Sequence, residues 1–320
     1  MAAGTEDLGG NHRARASLGG GEHKVLAAVH SGLDARRTGG AVMAHTVVIV
    51  GAGGKMGHRA LEKLAGNPEY KALACEKDPE RVHDLEAKGF KVSPLEAALA
   101  EADFVVMAVP DALIGRIARE LVPQMKTGST LIMLDAAAAY VGELPVRGDV
   151  TFMITHPCHP PMFTEQATPE ARRDYFGGVA LQDIIVSLAQ GSDADFAHGV
   201  ELCKAIFGPV RKAYRVTPEQ FARLEPAMAE IVVASAATLM KQALEAAVEA
   251  GVPRDAAEAF MAGHAQIALA IVFGAEKSPF SDAAQVAIRW GSKRIFAPDW
   301  RNVFQPAELR AAIQEMLRPA

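Results

Sequence analysis

The chain has 320 residues, of which 50% are hydrophobic and 22% are charged, and its formal net charge is -5 at pH 7. This length predicts two domains of ordinary size, and the mild negative charge argues against nucleic acid or an anionic membrane as a partner. No uninterrupted apolar run reaches the roughly 20 residues that span a bilayer, so we expect no membrane segment. Three cysteines are too few for a disulfide framework, which favours a reducing compartment and predicts a cytoplasmic protein.

Residues 1–42 are rich in glycine and lack hydrophobic periodicity. This composition predicts a disordered tail. Met43 stands directly before the first predicted strand and is an alternative translation start. Acidic residues mixed with the arginines argue against an organelle transit peptide.

From residue 46 to residue 216, apolar runs of strand length alternate with segments of helical periodicity. The predicted strands cover residues 46–50, 71–76, 104–109, 130–134, 151–155, 182–189 and 210–216, and the predicted helices cover 58–64, 113–125 and 193–207. The residues Ser93-Pro-Leu-Glu96 match a capping box and predict a further short helix. Such alternation predicts an α/β domain whose parallel sheet is covered on both faces.

After Thr217 the strand signals stop. A second capping box, Thr217 to Gln220, opens a series of predicted helices over 218–250, 254–273, 282–290 and 306–317. We therefore predict a nucleotide-binding domain over 43–216 and a helical domain over 217–320. The helices are apolar on several sides, and about one hundred residues cannot cover them all, so we predict a homodimer formed through the helical domain.

A glycine-rich loop connects the first predicted strand to the first predicted helix. Gly51 permits a tight turn, and Gly53 lets the backbone approach a pyrophosphate whose charge the helix amides bind. Glu76 follows the second strand, where a carboxylate accepts a hydrogen bond from a ribose hydroxyl and repels a 2′-phosphate. The cofactor is therefore predicted to be NAD, although Lys77 would suit NADP if Glu76 turned away. The predicted binding residues of the loop are Gly51, Ala52, Gly53, Gly54, Lys55, Met56 and Gly57.

A polar cluster, Thr-His-Pro-Cys-His-Pro over residues 155–160, ends a predicted strand. The carboxyl ends of parallel strands face the ligand crevice, so His156 is predicted to lie near the nicotinamide. Cysteine and histidine are the usual zinc ligands, so a zinc site at Cys158 and His159 is one interpretation. The two prolines stiffen this turn, however, so we do not expect the three side chains to converge on one metal.

The pair Glu225-Pro226 breaks the pattern of the first C-terminal helix. Proline inside a helix removes a hydrogen bond, and it pushes the preceding residue away from helical geometry. A local rule broken in an otherwise consistent helix predicts a functional site, whereas a kinked surface helix with a solvated glutamate is the alternative. His264, in another apolar helix, fits either a hydrogen-bonded core residue or a catalytic group.

Taken together, these features resemble the 6-phosphogluconate dehydrogenase-like β-hydroxyacid dehydrogenases. Narrower motifs are most similar to the D-apionate oxidoisomerase group, and they are Asp135-Ala-Ala-Ala-Ala139, Thr155 to Pro160, Gly263-His264, Pro279-Phe-Ser-Asp282 and Asp299-Trp300. The likeness covers Met43 to Ala320. It implies a Rossmann-type, mostly parallel, doubly wound sheet followed by an all-helical domain, with Val109 and Pro110 joining the NAD site.

The resemblance also implies a reaction. An NAD-dependent oxidoisomerase would convert a branched sugar acid, D-apionate, to 3-oxo-isoapionate through metal-assisted hydride transfer and a 1,2-shift. His156 and Glu225 would hold a divalent metal ion of undetermined identity, and His264 would carry a proton or contact the substrate. The lysine and asparagine typical of ordinary β-hydroxyacid dehydrogenases are missing around Glu225. A simple hydroxyacid or prephenate-type dehydrogenase without a metal, and a non-catalytic NAD-sensing protein, are the alternatives.

Overall fold

The computed structural model describes residues 44–318, and a seven-stranded sheet lies at their centre. The strands are β1 His45–Val50, β2 Tyr70–Cys75, β3 Phe104–Met107, β4 Thr130–Met133, β5 Thr151–Pro157, β6 Gln182–Gln190 and β7 Val210–Val216. Their order is β2-β1-β3-β4-β5-β6-β7. Neighbouring strands are parallel except β5 and β6, which are antiparallel. The expectation of a Rossmann-type, mostly parallel sheet is confirmed.

Six helices lie between the strands and a run of helices follows β7. The first six are α1 Lys55–Leu64, α2 Pro79–Ala87, α3 Leu95–Glu101, α4 Asp111–Leu121, α5 Ala137–Val141 and α6 Asp193–Phe207. Next come α7 Pro218–Ala222, a π-helical segment Arg223–Ala234, α8 Ser235–Glu249, α9 Arg254–Val272, α10 Asp282–Ile295 and α11 Pro306–Met316. The helical C-terminal region is thus confirmed, whereas α2 and α5 were not predicted.

Apolar side chains cover both faces of the sheet because successive residues of a strand point to opposite sides. Val48 and Leu131 belong to the core beneath α3 and α4, and Ile49 and Ile132 belong to the core beneath α1 and α6. All four side chains are fully buried. Strands buried on both faces explain why their sequences are continuously apolar, and they leave the strand ends as the places where polar groups collect.

The helical region is less well buried. A small core of Ala222, Ala227, Leu309 and Ile313 attaches α11 to the π-helical segment, whereas α10 has no buried residue. The continuous helix Pro218–Glu249 is long and apolar enough, by length and composition alone, to cross a membrane. This corrects the expectation that no segment reaches that length. Only 6% of its most apolar stretch is buried inside the chain.

The two predicted capping boxes have different outcomes. Thr217 caps α7 through the backbone N–H of Gln220, as predicted. The box at Ser93 is wrong, because the N-cap of α3 is Pro94 and no side chain caps that helix. The backbone N–H of Ser93 instead donates to the carbonyl of Ala74 at 2.8 Å, so this stretch is extended beside β2. The predicted N-terminal tail lies outside the described residues.

Candidate active site

The glycine-rich loop lies at the carboxyl end of β1, where the strand order reverses between β1 and β3. Gly51 has a positive φ of 78°, and a Cβ at this position would lie 2.5 Å from the carbonyl oxygen of Ala108 and 3.0 Å from Cγ1 of Val109. A Cβ at Gly57 would overlap the carbonyl oxygen of Gly51. Helix α1 begins without a side-chain cap at Gly54. Its first amides therefore have no side-chain acceptor, which suits a phosphate.

Glu76 is fixed beside this loop by three backbone amides. One carboxylate oxygen accepts a hydrogen bond from the N–H of Gly53 at 2.9 Å. The other accepts from Lys77 at 2.8 Å and from Asp78 at 3.1 Å. A carboxylate held in this way does not turn away from the loop, so the negative charge that disfavours a 2′-phosphate stays in place. The geometry favours NAD over NADP.

His156 lies near the end of β5, three strands away from β1, which the glycine-rich loop follows. Its Nδ1 lies 2.9 Å from the carbonyl oxygen of Leu134. Only an N–H can donate to a carbonyl, so the proton of the neutral ring is on Nδ1 and the lone pair is on Nε2. Burial lowers the pKa of His156, although the bond to Leu134 and the charge of Asp135 oppose this shift. Near neutral pH the ring is therefore an uncharged base.

Four acidic residues form what we call the carboxylate cluster: Asp111, Asp135, Glu225 and Glu230. Asp135 follows β4, is 4% exposed, and accepts a hydrogen bond from the N–H of Ala137 at 2.6 Å. Burial, a hydrogen bond to Asp135 and the neighbouring negative charges raise the pKa of Glu225 well above its usual range. Glu225 therefore holds a proton near neutral pH in the absence of a cation.

The π-helical segment explains why two glutamates of one helix belong to this cluster. Glu225 and Glu230 are five residues apart. An α-helix has about 3.6 residues per turn, so residues at this spacing lie on different faces. A π-helix bonds each residue to the fifth one along the chain, which brings such residues to the same face. Pro226, which has no backbone N–H to donate, lies inside the segment.

The pKa values of the other two acidic members of the carboxylate cluster, Asp111 and Glu230, are also raised. Burial of the carboxyl group, with the charges of Asp135 and Glu230, raises the pKa of Asp111 to about 7, although the residue as a whole is exposed. Burial and the charge of Asp135 raise the pKa of Glu230. Between residues 44 and 318, no lysine or arginine forms an ion pair with any of the four carboxylates. The cluster is a concentration of negative charge without a protein counterion.

These carboxylates suit a hard divalent cation. Oε2 of Glu225 is buried and accepts no hydrogen bond from the described residues. The described part of the chain contains no set of three acidic, histidine or cysteine side chains already arranged around one metal position. Magnesium usually needs only one or two carboxylates and keeps several waters, so Asp135 with Glu225 meets that requirement.

The predicted catalytic residues are only partly brought together. His156 and Glu225 are both neighbours of Asp135. His264 is exposed on α9, where its Nδ1 bonds the carbonyl of Phe260 and its ring stacks on that phenylalanine at 3.8 Å. No contact given for residues 44–318 joins His264 to the carboxylate cluster. The sequence analysis did not single out Asp111 or Glu230, and it named Asp135 only within a motif.

Two family models match the chain. Residues 22–136 match the NAD binding domain of the D-isomer specific 2-hydroxyacid dehydrogenases. Residues 164–317 match the C-terminal part of the decarboxylating phosphogluconate dehydrogenases. The first match includes β1 to β4, and the second includes β6, β7 and the helices that follow them.

Curated relatives and solved structures give a narrower likeness. The D-apionate oxidoisomerase of Rhizobium rhizogenes is 40% identical over 84% of this chain and 98% of its own length, and that of Blautia hydrogenotrophica is 41% identical over 85% and 96%. A semialdehyde dehydrogenase NAD-binding protein from Cupriavidus necator, solved in complex with calcium and NAD, is 39% identical. Its TM-score is 0.82, with coverage of 86% of this chain and 100% of that chain. A ketol-acid reductoisomerase from an uncultured archean, 19% identical with a TM-score of 0.63 over 84% and 82%, shares the fold.

Proposed function

The chain belongs to the D-apionate oxidoisomerase family, and we propose that it converts D-apionate to 3-oxo-isoapionate with NAD as the oxidant. The observation that carries the proposal is the position of His156 and the carboxylate cluster at the same edge of the sheet as the glycine-rich loop. Hydroxyl groups of a sugar acid can be held there beside a nicotinamide. Four acidic side chains without a lysine or arginine ion-pair partner favour this function over a prephenate-type dehydrogenase and over a sensor, neither of which needs a cation site.

The reaction needs a hydride acceptor and groups that move protons. NAD, when bound, accepts the hydride that leaves C2 of the sugar acid. The lone pair on Nε2 of His156 can accept the proton of the C2 hydroxyl group, which leaves a ketone at C2. In the second stage one carbon substituent moves with its bonding electrons from C3 to C2, the C3 hydroxyl loses its proton, and the C2 oxygen gains one. In the cation-free site the proton that Glu225 shares with Asp135 is available for that last transfer. With a cation bound, Glu225 would give up that proton, and the protonated His156 would then supply one.

We also propose that a divalent cation takes part. Asp135 and Glu225 would hold it together with hydroxyl oxygens of the substrate. His156 is a further ligand in the arrangement predicted from the sequence, but its one lone pair, on Nε2, cannot bind the cation and accept the C2 proton at once, so the base role applies where the two carboxylates hold the cation without it. When bound, the cation lowers the pKa of the hydroxyl groups that it contacts and fixes their geometry. His264 keeps its proposed role as a proton carrier or substrate contact only if assembly of the protein brings α9 to the carboxylate cluster.

We propose that a second copy of the chain packs against the exposed helices. Phe260, Phe273 and Trp290 are 67%, 68% and 60% exposed, and such a concentration of large apolar side chains marks an interface. We prefer a homodimer to a membrane as the partner of Pro218–Glu249, because Glu225 and Glu230 lie in that helix. The three cysteines are free thiols, which supports the proposed cytoplasmic location.

Formation of NADH from D-apionate, followed by absorbance, tests this function. We expect turnover that EDTA removes and that magnesium, manganese or zinc restores. Turnover that resists EDTA would leave an NAD-dependent dehydrogenase and refute the cation. No turnover of D-apionate would refute the substrate, and a panel of other hydroxy acids would then be required.

The variant Glu225→Gln tests the carboxylate cluster directly. Glutamine keeps the size of the side chain but cannot become a carboxylate, so we expect turnover to be abolished while NADH binding, followed by fluorescence, stays normal. Glu219→Gln is the matched control, because Glu219 lies in the same continuous helix but outside the carboxylate cluster. Loss of NADH binding in the Glu225 variant would mean that this residue serves the cofactor instead.

A further inference from the structure

His159 has an unusual backbone conformation for a residue with a side chain. Its φ is 60°, and it is the only non-glycine among residues 44–318 with a positive φ. The left-handed region is uncommon for residues other than glycine, although histidine, like asparagine and aspartate, enters it more often than most, and a residue held there costs about 1 to 3 kcal/mol. Such a conformation is maintained only when surrounding contacts require it. Those contacts show where the ring of His159 is directed.

The ring of His159 turns back towards the candidate active site. Its centroid lies 5.9 Å from that of His156, in an edge-on arrangement at 79°. Nδ1 of His159 lies 2.9 Å from the carbonyl oxygen of Phe176, so this nitrogen carries the proton. The lone pair of Nε2 is therefore free, and no hydrogen bond given for the described residues uses it. Two imidazoles at the end of β5 thus each offer an unused Nε2.

Phe176 connects this histidine to the cofactor loop. Nζ of Lys55, at the start of α1, lies 3.4 Å from the centre of the Phe176 ring. The same ring lies 5.3 Å from the ring of His159. The carbonyl of Phe176 also accepts a bond at 3.4 Å from the buried Arg59, a residue of α1. His159 consequently lies between His156 and Phe176, the residue that contacts the first helix after the glycine-rich loop.

We propose that His159 is a substrate-binding residue whose Nε2 accepts a hydrogen bond from a hydroxyl group of the sugar acid, and that Phe176 is the residue that positions it. The inference rests on the proposed function and adds a second histidine to the site. It gives the strained backbone a role, because an imidazole three residues beyond His156 reaches the same substrate only if the chain turns back sharply.

The variant His159→Asn separates substrate binding from a structural role. The amide of asparagine can replace Nδ1 as the donor to Phe176, and asparagine tolerates positive φ, but it has no group at the position of Nε2. We expect KM for D-apionate to rise about tenfold, the effect of one lost hydrogen bond to a polar group. The melting temperature and the affinity for NADH should stay at their wild-type values. Tyr175→Ala, at a neighbouring residue that is 81% exposed, is the control and should leave KM unchanged.

Replacements of Phe176 test its positioning role. Phe176→Leu removes the aromatic ring and should also raise KM, whereas Phe176→Tyr keeps the ring and should retain the wild-type value. A KM within twofold of wild type in His159→Asn would overturn the role of His159, and an unchanged KM in Phe176→Leu would overturn that of Phe176. Absence of any wild-type turnover of D-apionate would refute the proposed function, and this inference with it.

Discussion

The sheet and the helices after it bury their apolar side chains to very different extents. Only seven buried hydrophobic residues among those described follow Val216, and all the others precede it. Beyond Val216, large side chains such as Trp290 are exposed, and α10 buries nothing. The core of the first region lies within a single chain, whereas the second region exposes the apolar surface for which we propose a partner. The stability of the two regions should respond differently to mutation and to protein concentration.

Replacing one isoleucine by alanine in each region tests this contrast. The replacement in the buried sheet should have the largest effect of all those predicted. Ile132 is fully buried in β4, so Ile132→Ala leaves a cavity and should lower the free energy of unfolding by about 2 to 5 kcal/mol at every protein concentration. Ile288 on α10 is 46% exposed, and Ile288→Ala should have a smaller effect that depends on concentration. Urea unfolding at two protein concentrations measures both changes. Equal losses, independent of concentration, would mean that α10 is not at an interface.

A charge on the exposed helical face should separate the predicted dimer. In Trp290→Glu a buried carboxylate would replace a large apolar contact, and we expect dissociation to be favoured by about 2 kcal/mol, which is roughly a thirtyfold rise in Kd. Sedimentation velocity at micromolar concentration measures this change. Val146→Glu is the control, because Val146 is fully exposed in the sheet region and should leave the dimer intact. A wild-type chain that is already monomeric would refute the predicted dimer.

The smallest effect concerns the ion pairs that connect α8 to α9. Hydrogen bonds from Arg254 and then Lys241 lower the pKa of Glu245 from 4.5 to about 2. A folded-state pKa below the unfolded value stabilises the fold above the unfolded pKa, and this contribution is lost as the pH falls towards 2. Glu245→Gln should therefore lower the melting temperature slightly at pH 7, since exposed pairs contribute little, and not at all near pH 2.

Glu249→Gln provides the control for this measurement. Glu249 ends the same helix, and the ion pairs given for the described residues do not include it. Its replacement should leave the melting temperature unchanged across the pH range. A difference between Glu245→Gln and wild type that persists unchanged at pH 2 would contradict the assignment of the effect to the carboxylate of Glu245.

Local patterns in the sequence predicted most of the elements but not all of their ends. The box at Thr217 was correct, and both of its hydrogen bonds are local: the N–H of Gln220 donates to the side chain of Thr217, and the N–H of Thr217 donates to the side chain of Gln220. The box at Ser93 failed because the backbone of Ser93 pairs with Ala74, a residue of a distant strand that the local sequence does not reveal. Short helices such as α2 and α5 were missed for a related reason, since contacts with the rest of the fold stabilise them more than their own apolar periodicity does.

The candidate site could be predicted only where a local rule was broken. Pro226 drew attention to Glu225, and the prolines around His156 did the same for that histidine. Asp111 follows a strand-like run in unremarkable sequence, and the motif that contains Asp135 does not by itself give that residue a role. The proximity of both aspartates to Glu225 arises from the order of β3 and β4 in the sheet. The rule that ligands bind at the carboxyl ends of parallel strands applies to both aspartates and would have found them.

The π-helical segment also determines which insertions and deletions this part of the chain can accommodate. Each turn of a π-helix holds one residue more than a turn of an α-helix, so the segment accommodates extra residues without a loop. Deleting Ala227 would leave the two glutamates four residues apart, the spacing at which side chains lie on one face of an ordinary α-helix. Inserting a residue at the same place would fit neither helix. In a protein of this fold, two acidic residues separated by five positions beside a proline therefore predict the type of helix as well as the site.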